Sequence, residues 1–143
     1  MTEPNIDLFN RYTAIIFADL YKAFPVGIKL EPCDIVVQYP PPKEMPDISL
    51  EVQTAICAGT IQWLEGAGYI KIANTNRRLS GNLTFTNVVL TVKGLEVLKG
   101  MPDSLGNPAG EQLLSAMKTG GAEAGKTLIS LAITSAWAAL YGG

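Results

Sequence analysis

"TIQWLEGAGYIKI", Thr60 to Ile72, is the stretch whose reading decides the fold. Its first half continues a helical pattern, with Ile61, Trp63, Leu64 and Ala67 extending an apolar stripe that begins at Ile48, Val52 and Ile56. Gly66 and Gly68 then end the helix, because a residue at the helix exit commonly needs a left-handed backbone. "YIKIA" follows at once as a strand. The chain therefore passes from a long helix into a strand through a glycine turn. Asp47 or Ser49 is placed to cap the helix, expected over Ile48 to about Gly66.

Working outward, "NTNRRLSGN" (Asn74–Asn82) reads as a polar, turn-rich tip, and "LTFTNVVLT" returns as a second strand. The two strands form a β-hairpin with a long basic tip. In "VVLTVKGLEVL" (Val88–Leu98), Thr91 can cap a short helix whose Leu95 and Leu98 face inward. Upstream, Asn5 or Asp7 is placed to cap a first helix bearing Leu8, Tyr12, Ile15, Ile16, Leu20 and Phe24, which must stop before Pro25. "VGIKL" (Val26–Leu30) is compatible with a short strand. Pro32 suits a first helical position, so "EPCDIVVQ" predicts a short helical turn, with extension through Ile35–Val37 as the other possibility. "YPPPKEMP" (Tyr39–Pro46) has four prolines and is a stiff connector.

The order is helix, short strand, short helix, long helix, hairpin, short helix. With the two quoted stretches, it resembles a winged helix (winged helix-turn-helix) of bacterial regulator type, over about residues 6–100. "TIQWLEGAGYIKI" is similar to the end of that family's third helix and its first wing strand, and "VVLTVKGLEVL" to its second wing strand and closing helix. The expected fold class is α+β, a winged-helix domain over 1–100. A linker over 101–110 and a helical extension over 111–143 follow, outside the resemblance.

The resemblance implies DNA binding in a transcription-regulatory role, with the third helix in the major groove and the wing on phosphate or minor groove. The positions it assigns are Gln53, Thr54 and Gln62 on the third helix, and Lys71, Asn76, Arg77 and Arg78 on the hairpin. Charge pulls in both directions. Residues 1–47 carry 4 basic and 7 acidic side chains, and residues 101–143 carry 2 and 3. Residues 48–100 carry 5 and 3, so the middle third alone is net positive. Yet the third helix has no Lys or Arg, and Glu51 and Glu65 lie on its expected outer side with Ser49, Gln53, Thr54, Ala58 and Gln62. Carboxylates facing a polyanion are unfavourable, and phosphate contacts by Lys and Arg supply most of the affinity. The net charge of −2 supplies no global attraction for nucleic acid. The alternative is a winged helix that binds a protein partner without DNA contacts.

The tail poses its own question. Thr127 to Tyr141 carries no charge, and Leu128, Ile129, Ile133, Trp137 and Leu140 cover most of a helix there. Such a helix must be buried, on its own domain or against a second copy, which makes it the expected homodimer interface. Its 15 residues fall short of the ~20 that span a bilayer, so a membrane role is not expected. "GGAEAGKT" (Gly120–Thr127) matches the phosphate-loop pattern letter for letter. A phosphate loop needs a buried strand entering it and an acid on a neighbouring strand for magnesium. The entering "EQLLSAMKT" is helical in pattern, and no acid follows Lys126. Nucleotide binding is not expected; Gly120 and Gly121 read as a helix break, as a corner or a hinge.

Nothing points to catalysis. There is no histidine, which removes the commonest general base and metal ligand. Cys33 and Cys57 are isolated, with no zinc spacing, and are expected to be free thiols in a reducing compartment. No catalytic residue, metal or cofactor is assigned. The N-terminus "MTEPNIDLFN" lacks a signal-peptide pattern, so the expected location is cytoplasmic.

Overall fold

The computed structural model describes residues 4–41, 47–79 and 81–99. The expectations for the 101–110 linker, the 111–143 extension, the phosphate-loop match and the interface residues Leu128, Ile129, Ile133, Trp137 and Leu140 lie outside them. The described chain is a mixed α+β fold of four helices and one three-stranded antiparallel sheet. In order, the elements are α1 (Pro4–Ala23), β1 (Ile28–Leu30), α2 (Pro32–Gln38), α3 (Leu50–Gly66), β2 (Ile70–Arg77), β3 (Leu83–Leu90) and α4 (Val92–Lys99).

The two stretches that decide the fold meet in space. Ala67 caps α3, Gly68 takes φ +89°, Gly68 N–H donates to the Glu65 carbonyl, and Tyr69 N–H donates to that of Leu64. This paired exit satisfies carbonyls that the helix end would otherwise leave open. Thr91 closes the other side. Its Oγ1 accepts from Gly94 N–H at 3.1 Å, capping α4, and donates to the Gly68 carbonyl. Gly94 presses so closely on the Tyr69 carbonyl that a Cβ there would collide with backbone. The glycine turn, the capping threonine and Gly94 are thus one joint, and each residue type is needed for close backbone approach or for a cap.

At the other end of α3, Ser49 Oγ accepts from Val52 N–H at 3.2 Å, so Ser49 rather than Asp47 is the cap. Pro32 opens α2. The helix α1 begins at Pro4, which places Asn5 and Asp7 inside it rather than at its cap. The centre of the sheet is β3, with β1 and β2 on its flanks. An irregularity in register sets Ile28 opposite Val88 and Leu30 opposite Phe85, and Asn87 there has φ 53°. Asparagine is among the few residues that adopt this left-handed geometry readily, which suits it to a bulge.

The core is built on α1. Arg11 through Ala18 are all buried, a run of more than two turns, so this helix is enclosed on every side. Tyr12, Phe17, Phe85, Ile61, Leu64 and Tyr69 fill the space between α1, α3 and the sheet.

Two expectations change. The apolar stripe of α3 is rotated: the buried residues are Gln53, Cys57, Thr60, Ile61 and Leu64, while Val52 and Trp63 are 47% and 39% exposed. The basic tip is also shorter than its composition suggests. Strand β2 continues through Arg77, with Asn74 opposite Thr86 and Arg77 opposite Leu83, leaving Arg78–Asn82 as the turn. The ladder with β3 carries polar residues that look loop-like on their own.

Candidate functional site

Three surfaces of α3 and its neighbours deserve comparison. The outward face, spaced for one side of a helix, is Glu51, Ala55, Ala58, Gln62 and Glu65. It has no cation. Glu65 is partly engaged, since its Oε2 accepts from Ile72 N–H at 3.1 Å. Thr54 sits beside this face, its Oγ1 donating to the Leu50 carbonyl at 2.7 Å. Gln53 was expected here and is not: it is 5% exposed, and its Nε2 donates to the Ile48 carbonyl at 2.6 Å. The reason is helical phase, since Gln53 shares its side with the buried Cys57, Thr60 and Leu64.

The hairpin supplies the cations. Lys71, Asn76, Arg77 and Arg78 are exposed. Arg77 Nη1 donates to the Gly81 carbonyl at 2.9 Å, which folds its guanidinium back on the turn. Arg78 is committed elsewhere. Its Nη2 pairs with Glu31 Oε1 at the start of α2, and its Nε donates to Thr84 Oγ1 at 3.2 Å. Lys29 Nζ reaches the same Glu31 oxygen at 3.1 Å. The Glu31 carboxyl is held below its ordinary range, first by a hydrogen bond with Asp34, then by Lys29 and Arg78. The same hydrogen bond and the charge of Glu31 hold the Asp34 carboxyl above its range. Arg78 at the basic tip therefore rests on Glu31, a partner 47 residues away that sequence spacing cannot reveal. Between α2, α3 and the hairpin turn lies an open cavity of ≈ 480 Å³, with Cys33, Glu51 and Arg77 among its walls.

The third surface was not anticipated. An open groove of ≈ 390 Å³ runs between α1 and α3, lined by Ile6, Phe9, Ile56, Gly59, Thr60 and Trp63. Trp63 forms its edge. The Trp63 ring meets Phe9 edge-on at 5.2 Å and stacks on Tyr69 at 6.2 Å. Lys93 Nζ lies over the Tyr69 ring, 4.7 Å from its centroid, and donates to the Ala67 carbonyl. Such aromatic contacts fix the indole in place although one side faces solvent. A usable signal was present in the sequence: "IQW" puts Trp63 one helical step away from the true core line of Cys57, Ile61 and Leu64.

Among the described residues, no group of three or more His, Cys, Asp or Glu side chains is placed to hold a metal. Both cysteines are free. Cys57 is buried, and burial pushes its thiol up to about 12. Among the described residues, no helix is long and apolar enough to cross a membrane. Compared with known proteins, the chain matches no family model, no curated protein and no solved structure.

Proposed function

We propose that the chain is a winged-helix domain serving as a protein-interaction module, whose working surface is the apolar groove between α1 and α3. The fold reading is supported by the element order and by a sheet ordered β1-β3-β2, with α3 immediately before the hairpin. The functional reading is carried by one observation: α3 turns a cation-free outer face with a glutamate near each end to solvent, while its α1 flank exposes Trp63 beside the half-buried Ile56 in a groove. An aromatic anchor at the edge of an apolar pocket is the usual kind of hot spot in protein recognition. The partner such walls suit is a helix presenting uncharged apolar side chains.

The second reading is duplex DNA binding, and the exposed Lys71, Asn76 and Arg77 on the hairpin favour it. Two measurements separate them. A photo-crosslinking residue in place of Ile56 should give one discrete protein adduct in host cells, lost with Trp63→Glu and retained with Arg77→Ala. Titration with mixed duplex DNA should give no saturable binding at low salt. Saturable binding that weakens as salt rises, with a slope flattened by Lys71→Ala plus Arg77→Ala, replaces the interaction reading with the DNA reading.

A further inference from the structure

We propose that the α1/α3 groove is occupied by the apolar C-terminal segment of the same chain, Thr127–Tyr141, so that the chain covers its own docking surface and a partner must displace it. The inference rests on reading this groove as the docking face and names its resident occupant. The first argument is chemical. The side chains lining the groove are apolar except Thr60, whose hydroxyl is buried and donates to the Ile56 carbonyl at 2.7 Å. A ligand held by hydrogen bonds or charge finds no charged side chain in these walls. An uncharged apolar segment does fit, because burying apolar groups is favourable wherever no polar atom is left unpaired. Thr127–Tyr141 is such a segment, with no charge in 15 residues and with Ile133, Trp137 and Leu140 at helical spacing.

The second argument is reach. The described structure ends at Lys99, and residues 100–143 follow. Helix α4 starts beside the groove: Lys93 lies over Tyr69, and Tyr69 stacks on Trp63. Eight helical residues cover about 12 Å, so the chain leaves α4 within about 30 Å of Trp63. Ten residues, 101–110, taken as an unstructured linker would cover about 17 Å. Residues 111–119, helical by their pattern, add about 14 Å. Tether and span therefore match. A matched tether gives the segment an effective concentration in the millimolar range. At micromolar protein, attachment in the same chain outcompetes attachment from a second copy.

Gly59 offers a clean probe. It lines the groove, is exposed, and a Cβ built there meets nothing within 4 Å. In the full chain carrying Gly59→Cys and Cys33→Ser, the thiol at position 59 is the one that reacts near neutral pH, since Cys57 is buried with its thiol pushed up to about 12. Maleimide labelling there should be at least about tenfold slower than in the same chain carrying Trp137→Glu, and independent of dilution; both chains should unfold cooperatively, with the midpoint of the Trp137→Glu chain lowered by loss of the docked tail. Should Trp137→Glu unfold the chain, Gly59→Cys is paired instead with Trp137→Cys or Leu140→Cys, Cys33→Ser retained; mild oxidation should close a disulfide within one chain, read by mass. Equal labelling rates, or no such disulfide at either position, overturn the proposal. So does protection that disappears on dilution, or a disulfide between two chains, either of which assigns the groove to a second copy. The underlying reading fails separately. If the thiol is open in both chains while the Ile56 crosslink to a partner still forms, only the resident tail is lost. If the thiol is open in both chains and no Ile56 crosslink forms, both readings fall.

Discussion

The two sides of α3 that face solvent differ by one helical step and by their chemistry. One carries Glu51, Ala55, Ala58, Gln62 and Glu65; the other carries Val52, Ile56, Gly59 and Trp63. The first is a solvated strip with no anchor. The second continues the core outward, from the buried Ile61 and Leu64 through the Tyr69–Trp63–Phe9 ring contacts to an open groove. One side thus offers two carboxylates and no cation, and the other exposes a tryptophan, a pairing that favours the proposed protein partner over a polyanion. The difference teaches that exposure alone does not mark a working surface; the connection of exposed groups to fixed ones does.

The sharpest way to break the comparison is to remove the inner support. Ile61 is fully buried and Gln62, its neighbour, is exposed. Ile61→Ala should cost about 3–4 kcal/mol in equilibrium denaturation, and Gln62→Ala within about 0.5 kcal/mol. Comparable losses would mean that the outward strip is packed. Next in size is an alkaline effect from the inner side. Burial pushes both the Cys57 thiol and the Tyr12 hydroxyl up to about 12. Both native values lie above the unfolded ones, so their stabilising contribution is complete below about pH 8.5 and is lost as pH rises towards 12. Stability should fall by about 2–3 kcal/mol near pH 10.5, and Cys57→Ala should delay the onset towards pH 10. A flat pH profile in this range would show that these groups are wet. Smallest is Gly59→Ala in the groove. With open space at its Cβ, it should raise stability by about 0.5–1 kcal/mol; a loss would mean that another group already fills the groove floor at Gly59.

Much of the frame was legible from local chemistry. The Ser49 and Thr91 caps, the Pro32 start, the Gly68 exit and the hairpin all follow from residue types whose backbone needs are particular. The candidate site was less legible, for two physical reasons. The helical phase of α3 does not follow from its apolar pattern, because Val52 and Trp63 are apolar yet exposed, while Gln53 and Thr60 are polar yet buried. The Thr60 hydroxyl and the Gln53 amide nitrogen each reach a carbonyl of their own segment, which offsets part of the cost of burying them, while Gln53 Oε1 is buried with no hydrogen-bond partner among the described residues. Arg78 was expected to be available at the tip, but its partner Glu31 belongs to another element, and no spacing rule reaches across that distance.

Gly94 has one more consequence. Because its backbone lies against the Tyr69 carbonyl with no room for a side chain, α4 cannot slide along the α3–β2 turn without displacing Tyr69. The ring of Tyr69 supports Trp63, and Lys93 of α4 lies over that same ring. The strut from which the rest of the chain departs and the wall of the groove are thus one rigid lever. A displacement of α4 is therefore carried to the indole through Tyr69 as well as to the sheet through Leu90.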